Sequence, residues 1–224
     1  MFETIKGVIF DLDGTLVDSM WVWSKIDTEL IQTLNLGITP QELMKDVAHY
    51  SFNETARYFK DTYGLRESVE EIQDIWIRAA ENQYARNVPL KAGAREFLQQ
   101  LKDQGVKLAI ATSNTRHLLS VCLQANDIHH FFDALVTTDD TAAKSKSQPD
   151  VYLLAAESIG ISPSDIVVFE DVPHAMKGAR LAGMRVVAVD DIHTNLTTEE
   201  ASQLADLFIK DFTSLLKEPL RPIQ

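Results

Sequence analysis

The residues best able to do chemistry are acids at the ends of apolar runs. In Phe10-Asp11-Leu12-Asp13-Gly14-Thr15, two carboxylates stand two residues apart where Val8-Ile9-Phe10 runs into a glycine turn. Strand alternation puts Asp11 and Asp13 on one side as the chain leaves the strand, and Gly14 permits a sharp departure. A carboxylate is costly to bury without a partner, so this placement asks for a compensating charge. The simpler alternative is an Asp-Gly turn closing a strand. Val167-Val168-Phe169-Glu170-Asp171 repeats the design, with a small-residue helix following through Ala175, Gly178, Ala179, Ala182 and Gly183. For Asp171 the competing role is to cap that helix. If the two strands are neighbours, three or four carboxylates converge, and like charges that close need a hard divalent cation. Oxygen ligands with room for water suit magnesium.

Two further segments offer complementary chemistry. Ile110-Ala111-Thr112-Ser113-Asn114 sets hydroxyls and backbone amides ahead of a helix, where hydrogen bonds and the helix dipole favour an anionic oxygen. The same residue types are ordinary helix caps. Lys146 lies in the polar loop Lys144-Ser145-Lys146-Ser147-Gln148-Pro149-Asp150, a setting in which a lysine is usually solvated. Cys122 falls on an apolar helix face as a small hydrophobe. The adjacent His129 and His130 have diverging side chains and make a poor metal site.

The elements that must position these residues alternate in type. Val106 to Ala111, Ala134 to Thr137, Ile166 to Phe169 and Arg185 to Val189 read as buried strands, and Gly7 to Phe10 as the first. Helices between them are marked by Phe97, Leu98 and Leu101, by Leu118, Leu119, Cys122 and Leu123, and by Tyr152, Leu153, Ala156 and Ile159. This alternation predicts an α/β fold, a doubly wound parallel sheet with a Rossmann-like core that binds ligands at its carboxyl edge. After Phe10 no strand follows until Val106, and residues 20–35, 40–49, 52–63 and 67–86 carry apolar residues at helical spacing. Thr39-Pro40 suits a helix start, and Gly37 and Gly64 suit stops. The expected organisation is a core of residues 1–16 and 89–224 with an inserted helical cap over 17–88, and a frayed tail from Glu218 to Gln224.

Composition narrows the partners. The chain has 224 residues, 45% of them apolar, and a formal charge of -12. That field repels nucleic-acid backbones and anionic lipids, so neither nucleic acid nor membrane is expected. An anionic small molecule would need local positive charge from a metal ion and a lysine. A single cysteine excludes an intrachain disulfide, and no run of 18 apolar residues or basic leader occurs, so the expectation is a monomeric cytoplasmic protein.

Taken together and in order, the acid-rich Asp11–Thr15 pattern, the Thr112 strand end, the Lys146 loop ending in Pro149-Asp150, and Phe169-Glu170-Asp171 followed by Ala182-Gly183-Met184 resemble the haloacid dehalogenase-like hydrolases. The likeness spans nearly the whole chain and points to the helical-cap subgroup of β-phosphoglucomutase and the sugar-phosphate phosphatases. It implies that Asp11 attacks phosphorus, and that Asp13 serves as general acid and base. Magnesium would be held by the Asp11 carboxylate, the Asp13 carbonyl and Asp171, with Glu170 beside it. Thr112 and the Ser113 amide would hold phosphate oxygens, with Gly14, Thr15 and Asn114 around them, and Lys146 would neutralise charge on the nucleophile. Members that release halide lack an acid at the Asp13 position, so the resemblance favours phosphoryl transfer and a small phosphorylated metabolite as partner. The mutases of this branch usually carry a histidine where this chain has Trp23, which ranks a mutase second; a silent phosphometabolite binder would not need Asp13. Ser147-Gln148 stands where Pro-Ala is common, and Val172 where serine often follows the acid pair. In the family the cap closes over the site and contacts the rest of the substrate. Ser19, Trp21, Trp23, Asn53, Glu54, Arg57, Arg78 and Arg86 are the candidates there, with the two tryptophans more readily explained by packing within the cap.

Overall fold

The computed structural model describes residues 5–33, 37–39, 42–43, 52–143, 145–194 and 196–216. Two compact units divide the chain, Met1–Ser19 with Val88–Gln224 in one and Met20–Asn87 in the other. The first unit is built on six parallel strands: β1 (Gly7–Phe10), β2 (Lys107–Thr112), β3 (Ala134–Thr137), β4 (Ile166–Glu170), β5 (Arg185–Val189) and β6 (Leu207–Ile209). Their order is β3-β2-β1-β4-β5-β6. Strands covered on both faces read as unbroken apolar runs, which is why β1 is buried at every position. The order reverses at β1, so the carboxyl ends of β1 and β4 border the crevice where such sheets bind ligands.

Around the sheet lie α4 (Ala94–Asp103), α5 (Arg116–Ala125), α6 (Asp150–Ile159), α7 (Pro173–Leu181) and α8 (Thr198–Leu204), numbered after α1 (Trp21–Thr33), α2 (Phe52–Tyr63) and α3 (Val69–Arg86) among the described residues of the second unit. The two sheet faces are filled differently. Phe10 and Phe169 are register partners, and their rings stack at 4.9 Å. Phe97 of α4 and Phe212 close over them, 5.6 Å apart. On the opposite face Ile9 and Val168 pack with Tyr152, Ala155 and Ala156 of α6 and with Met176 and Ala179 of α7. With a side-chain period of two, Asp11 and Glu170 must then project toward the α6 side.

The strands differ from expectation in β2, in β4, which runs one residue further to Glu170, and in β6. The Val106 amide is taken by the carbonyl of Leu101 at 3.0 Å, so β2 starts one residue later and ends on Thr112. The β6 strand was not anticipated, because three residues carry no readable periodicity.

Within the helical unit, α3 opens on a capping box between Ser68 and Glu71, and Phe59 of α2 meets Trp76 of α3 edge-on at 5.3 Å. Gly64, just past α2, adopts φ 64°. The Thr39 hydroxyl accepts from the Glu42 amide at 3.2 Å, a helix start as expected, but the rest of the 40–49 helix and the tail lie outside the described residues. Trp76 is buried in this unit, whereas Trp23 is 36% exposed and does not pack as a core residue. Among the described residues no helix is long and apolar enough to cross a membrane.

Phe97 touches both aromatic partners from the strands and so closes this face of the core. Phe97→Ala is expected to cost about 3–5 kcal/mol of unfolding free energy. The measurement is the urea midpoint, which should fall with an unchanged slope.

Candidate active site

Past β1 the ladder runs one residue further, because the Asp11 amide donates to the Phe169 carbonyl at 3.0 Å. The chain then turns at Gly14, whose φ of 78° is open to glycine but strained for other residues. The Leu12 carbonyl accepts the amides of Leu16 and Val17 across this turn, at 2.9 and 3.1 Å. As a result the Thr15 hydroxyl reaches the end of β4 and donates to Asp171 Oδ1 at 3.0 Å. Thr15, expected near phosphate, has its hydroxyl engaged by a carboxylate.

The two acid-tipped strands are neighbours, and their carboxylates converge. Asp11, Glu170 and Asp171 are all buried, with oxygens within 4.8 Å of one another. Lys146 Nζ lies 2.6 Å from Asp11 Oδ1 and also contacts Glu170 Oε1. This lysine is buried to 3% exposure, so the solvated-loop alternative fails. Its loop can come this close because α7 carries no side chain at Gly178, where a Cβ would stand 2.0 Å from the Lys146 carbonyl oxygen. Glu170 is fully engaged: Oε1 also accepts from Tyr152 Oη at 3.0 Å, and Oε2 accepts from the amides of Asp171 and Val172 at 3.1 and 3.4 Å.

One buried ammonium does not balance three buried carboxylates. Burial pushes Asp11 well above the usual carboxylate range; Lys146 opposes this, while Glu170, Asp171 and Asp13 add to it. Asp171 is pushed up to about 7 by burial and by Glu170, against the pull of Lys146 and the Thr15 hydroxyl. For Lys146, burial alone would lower the ammonium, but Asp11 and Glu170 together carry it above its ordinary value. The site is short of positive charge. Asp171 Oδ2 is also buried with no hydrogen-bond partner among the described residues. A divalent cation with a preference for oxygen supplies both missing terms, so the donor set fits magnesium.

Asp13 stands outside this cluster. Its Oδ1 accepts from Ser19 Oγ at 2.6 Å and its Oδ2 from Asn114 Nδ2 at 2.8 Å. Asn114 is itself held, its amide donating to Thr112 Oγ1 at 3.0 Å and its Oδ1 accepting the Thr115 amide at 2.8 Å. The cap of α5 is Thr115, which accepts the Leu118 amide at 3.2 Å, so Thr112, Ser113 and Asn114 are not spent as caps. Ser113 is exposed. At α7 the cap position is Val172, with no side-chain cap, which removes the capping alternative for Asp171.

Sequence reasoning brought Asp11, Asp13, Asn114, Lys146, Glu170 and Asp171 to one sheet edge but missed four supporting roles. The sequence offers Ser19 as a specificity residue, and in the structure it holds Asp13. It offers Asn114 as a phosphate contact, and in the structure Asn114 holds Asp13 from the other side. The spacing marks Tyr152 as core, and only the knowledge that α6 faces Glu170 gives its hydroxyl a task. Gly178 was legible as a small residue, though what it approaches was not. Asn53, Glu54, Arg57, Arg78 and Arg86 are exposed on their own unit. Cys122 is buried with its thiol pushed up to about 12 by burial, an inert group.

Comparison with known proteins agrees with this arrangement. The family model described as haloacid dehalogenase-like hydrolase matches residues 8–189. The chain belongs to the haloacid dehalogenase-like hydrolases. Hexitol phosphatase B of Escherichia coli K12 is 28% identical, across 92% of this chain and 96% of that protein. A probable pseudouridine-5'-phosphatase of Drosophila melanogaster is 30% identical, across 95% of each. Among solved structures, a putative β-phosphoglucomutase from Thermotoga maritima has the same fold, with a TM-score of 0.76 at 24% identity over 92% of this chain and 94% of the other. This haloacid dehalogenase-like chain is an enzyme of the phosphoric monoester hydrolase class.

Two expectations follow for this hydrolase. Gly178→Ala forces the Lys146 loop away from α7; it should cost about 1–3 kcal/mol in unfolding free energy and should lower turnover more than stability explains. In protein stripped of divalent cations, the native state keeps protons that the unfolded chain releases above the ordinary aspartate value of 3.8. Asp171 therefore stabilises the fold fully below 3.8, and this contribution is lost as pH rises through about 7. The urea midpoint with chelator should drop from about pH 5 to about pH 8, and added magnesium should reverse the drop. A midpoint that is flat or rising with chelator contradicts the charge deficit.

Proposed function

We propose that the chain is a magnesium-dependent phosphatase that hydrolyses a small phosphorylated metabolite, a sugar or polyol phosphate, through an aspartyl-phosphate intermediate. The observation that carries this reading is the buried Asp11 carboxylate, 2.6 Å from the Lys146 ammonium and within the same cluster as the partnerless Asp171 Oδ2. Relatives named hexitol phosphatase and phosphorylated carbohydrates phosphatase support the substrate class. Magnesium, when bound by the carboxylates of Asp11 and Asp171 and the Asp13 carbonyl with Glu170 beside it, supplies neutralising charge for the phosphoryl oxygens.

In this mechanism a carboxylate oxygen of Asp11 attacks phosphorus, and the bond from phosphorus to the leaving oxygen breaks. Lys146 offsets charge on the nucleophile and the transferred group, and Thr112 with the Ser113 amide holds phosphoryl oxygens. Asp13 donates a proton to the leaving alkoxide. It then takes a proton from the water that attacks the aspartyl phosphate, which frees inorganic phosphate and regenerates Asp11. Ser19 and Asn114 orient Asp13 for both transfers. The Met20–Asn87 unit is the inserted cap in this reading, and it supplies specificity for the non-phosphate part of the substrate.

The test is phosphate release from a panel of sugar, polyol and nucleotide monophosphates plus an aryl phosphate, with magnesium and then with chelator. Release that needs magnesium is expected, greatest on sugar or polyol phosphates. Asp11→Asn should remove roughly three orders of magnitude or more of turnover while the melting temperature holds. Full activity in that variant would refute the covalent route, and conversion of a sugar 1-phosphate to its isomer without free phosphate would assign a mutase.

A further inference from the structure

The carboxyl edge of the sheet carries one more charge pair, with a buried carboxylate, that the mechanism does not use. Lys91 Nζ donates to Asp191 Oδ2 at 2.8 Å and to the Asp190 carbonyl at 2.7 Å. The two side chains are 11% and 2% exposed. Asp191 Oδ1 accepts the His193 amide at 2.9 Å, so this carboxylate is held at both oxygens.

The pair is tied to the acidic cluster from two directions. Asp191 lies just beyond β5, the neighbour of β4, in which Ala188 is the register partner of Glu170. With Ala188 opposite Glu170, the chain leaving β5 runs beside the chain that leaves β4 at Asp171, so Asp191 stands at the same sheet edge as the acidic cluster. From the other direction, the Lys91 amide donates to the Leu16 carbonyl at 2.9 Å, and the adjoining residues Val17 and Leu90 form an antiparallel bridge. Leu16 directly follows Thr15, whose hydroxyl holds Asp171. A single residue thus pairs the buried carboxylate beyond β5 through its side chain and, through its backbone amide, pins the loop whose Thr15 holds Asp171.

We propose that Lys91 is a charge-balancing and positioning residue of the carboxylate site: it neutralises Asp191, which would otherwise add a negative charge at the sheet edge that carries the acidic cluster, and fixes that neutralisation to the nucleophile loop. Without it the site would hold a cation more tightly and an anionic substrate more weakly. The inference rests on the phosphatase reading only for its kinetic readout.

The experiment is calorimetric titration of Mg2+ into chelator-stripped protein, with KM and kcat for the best phosphate ester measured alongside. Lys91→Met should tighten Mg2+ binding about five- to tenfold, the scale of one added charge at this depth, and raise KM by a similar factor with less effect on kcat. Asp191→Asn should weaken Mg2+ binding. The double variant Lys91→Met with Asp191→Asn, which buries no uncompensated charge, should return both values to within about twofold of the parent. Should Lys91→Met fail to fold, Asp191→Asn and the double variant carry the comparison. Unchanged Mg2+ affinity in the variants of a parent that binds Mg2+ overturns this inference and leaves the phosphatase reading intact, even if stability or activity falls. A parent that binds no Mg2+ overturns both.

Discussion

Everything at the carboxyl edge of this sheet depends on one constraint: several carboxylates are buried together, and among the described residues only one ammonium, that of Lys146, is buried with them. Lys146 between Asp11 and Glu170 is the interaction that makes the cluster tolerable, and it does not suffice. Like charges at such separation raise one another, and burial raises them further. A structure in this condition is poised to take up a cation, because cation binding repays a desolvation cost already incurred in folding. The partnerless Asp171 Oδ2 marks where that debt falls.

The rest of the fold can be understood as what holds this unfavourable arrangement still. Stacked Phe10 and Phe169, closed over by Phe97 and Phe212, fix β1 and β4 in register, so Asp11 and Glu170 cannot drift apart. On the other face α6 brings Tyr152 to Glu170, and α7 admits the Lys146 loop only because position 178 has no side chain. Hydrophobic packing here is non-directional and large, whereas the charge cluster is directional and costly. The first supplies the free energy that the second consumes.

Much of this was legible before any coordinates. The α/β class and five of the six strands followed from apolar runs alternating with helical spacing, and the acid-tipped ends of β1 and β4 announced a shared site. Strand order was not legible in composition or periodicity, since these say nothing about which strands are neighbours; that Asp11 and Asp171 meet depends on β1 and β4 lying side by side. Lys146 shows the same limit more sharply. A lysine among serines reads as solvated, and its burial is set by Gly178, thirty-two residues later, through a contact that exists only in three dimensions. The bonds of Ser19 and Asn114 to Asp13 were not legible because hydroxyl and amide groups are versatile, and the geometry around Asp13 decides which bonds they make.

The pairing of Asp11 with Asp13 illustrates why two identical residues two positions apart suit two different tasks. Asp11 is tied to a buried ammonium, and moving it would strand a charge in a low-dielectric interior. Asp13 is half-buried and accepts from neutral donors, Ser19 and Asn114, which substrate or water can replace at little cost. In the mechanism proposed above, Asp11 as nucleophile benefits from being fixed, since its attack distance is set by the backbone. Asp13 as the proposed proton carrier must exchange partners during each turnover. The intervening Leu12 and the Gly14 turn place one carboxylate inside the charge cluster and the other at its margin, so the environment, not the side chain, divides the labour.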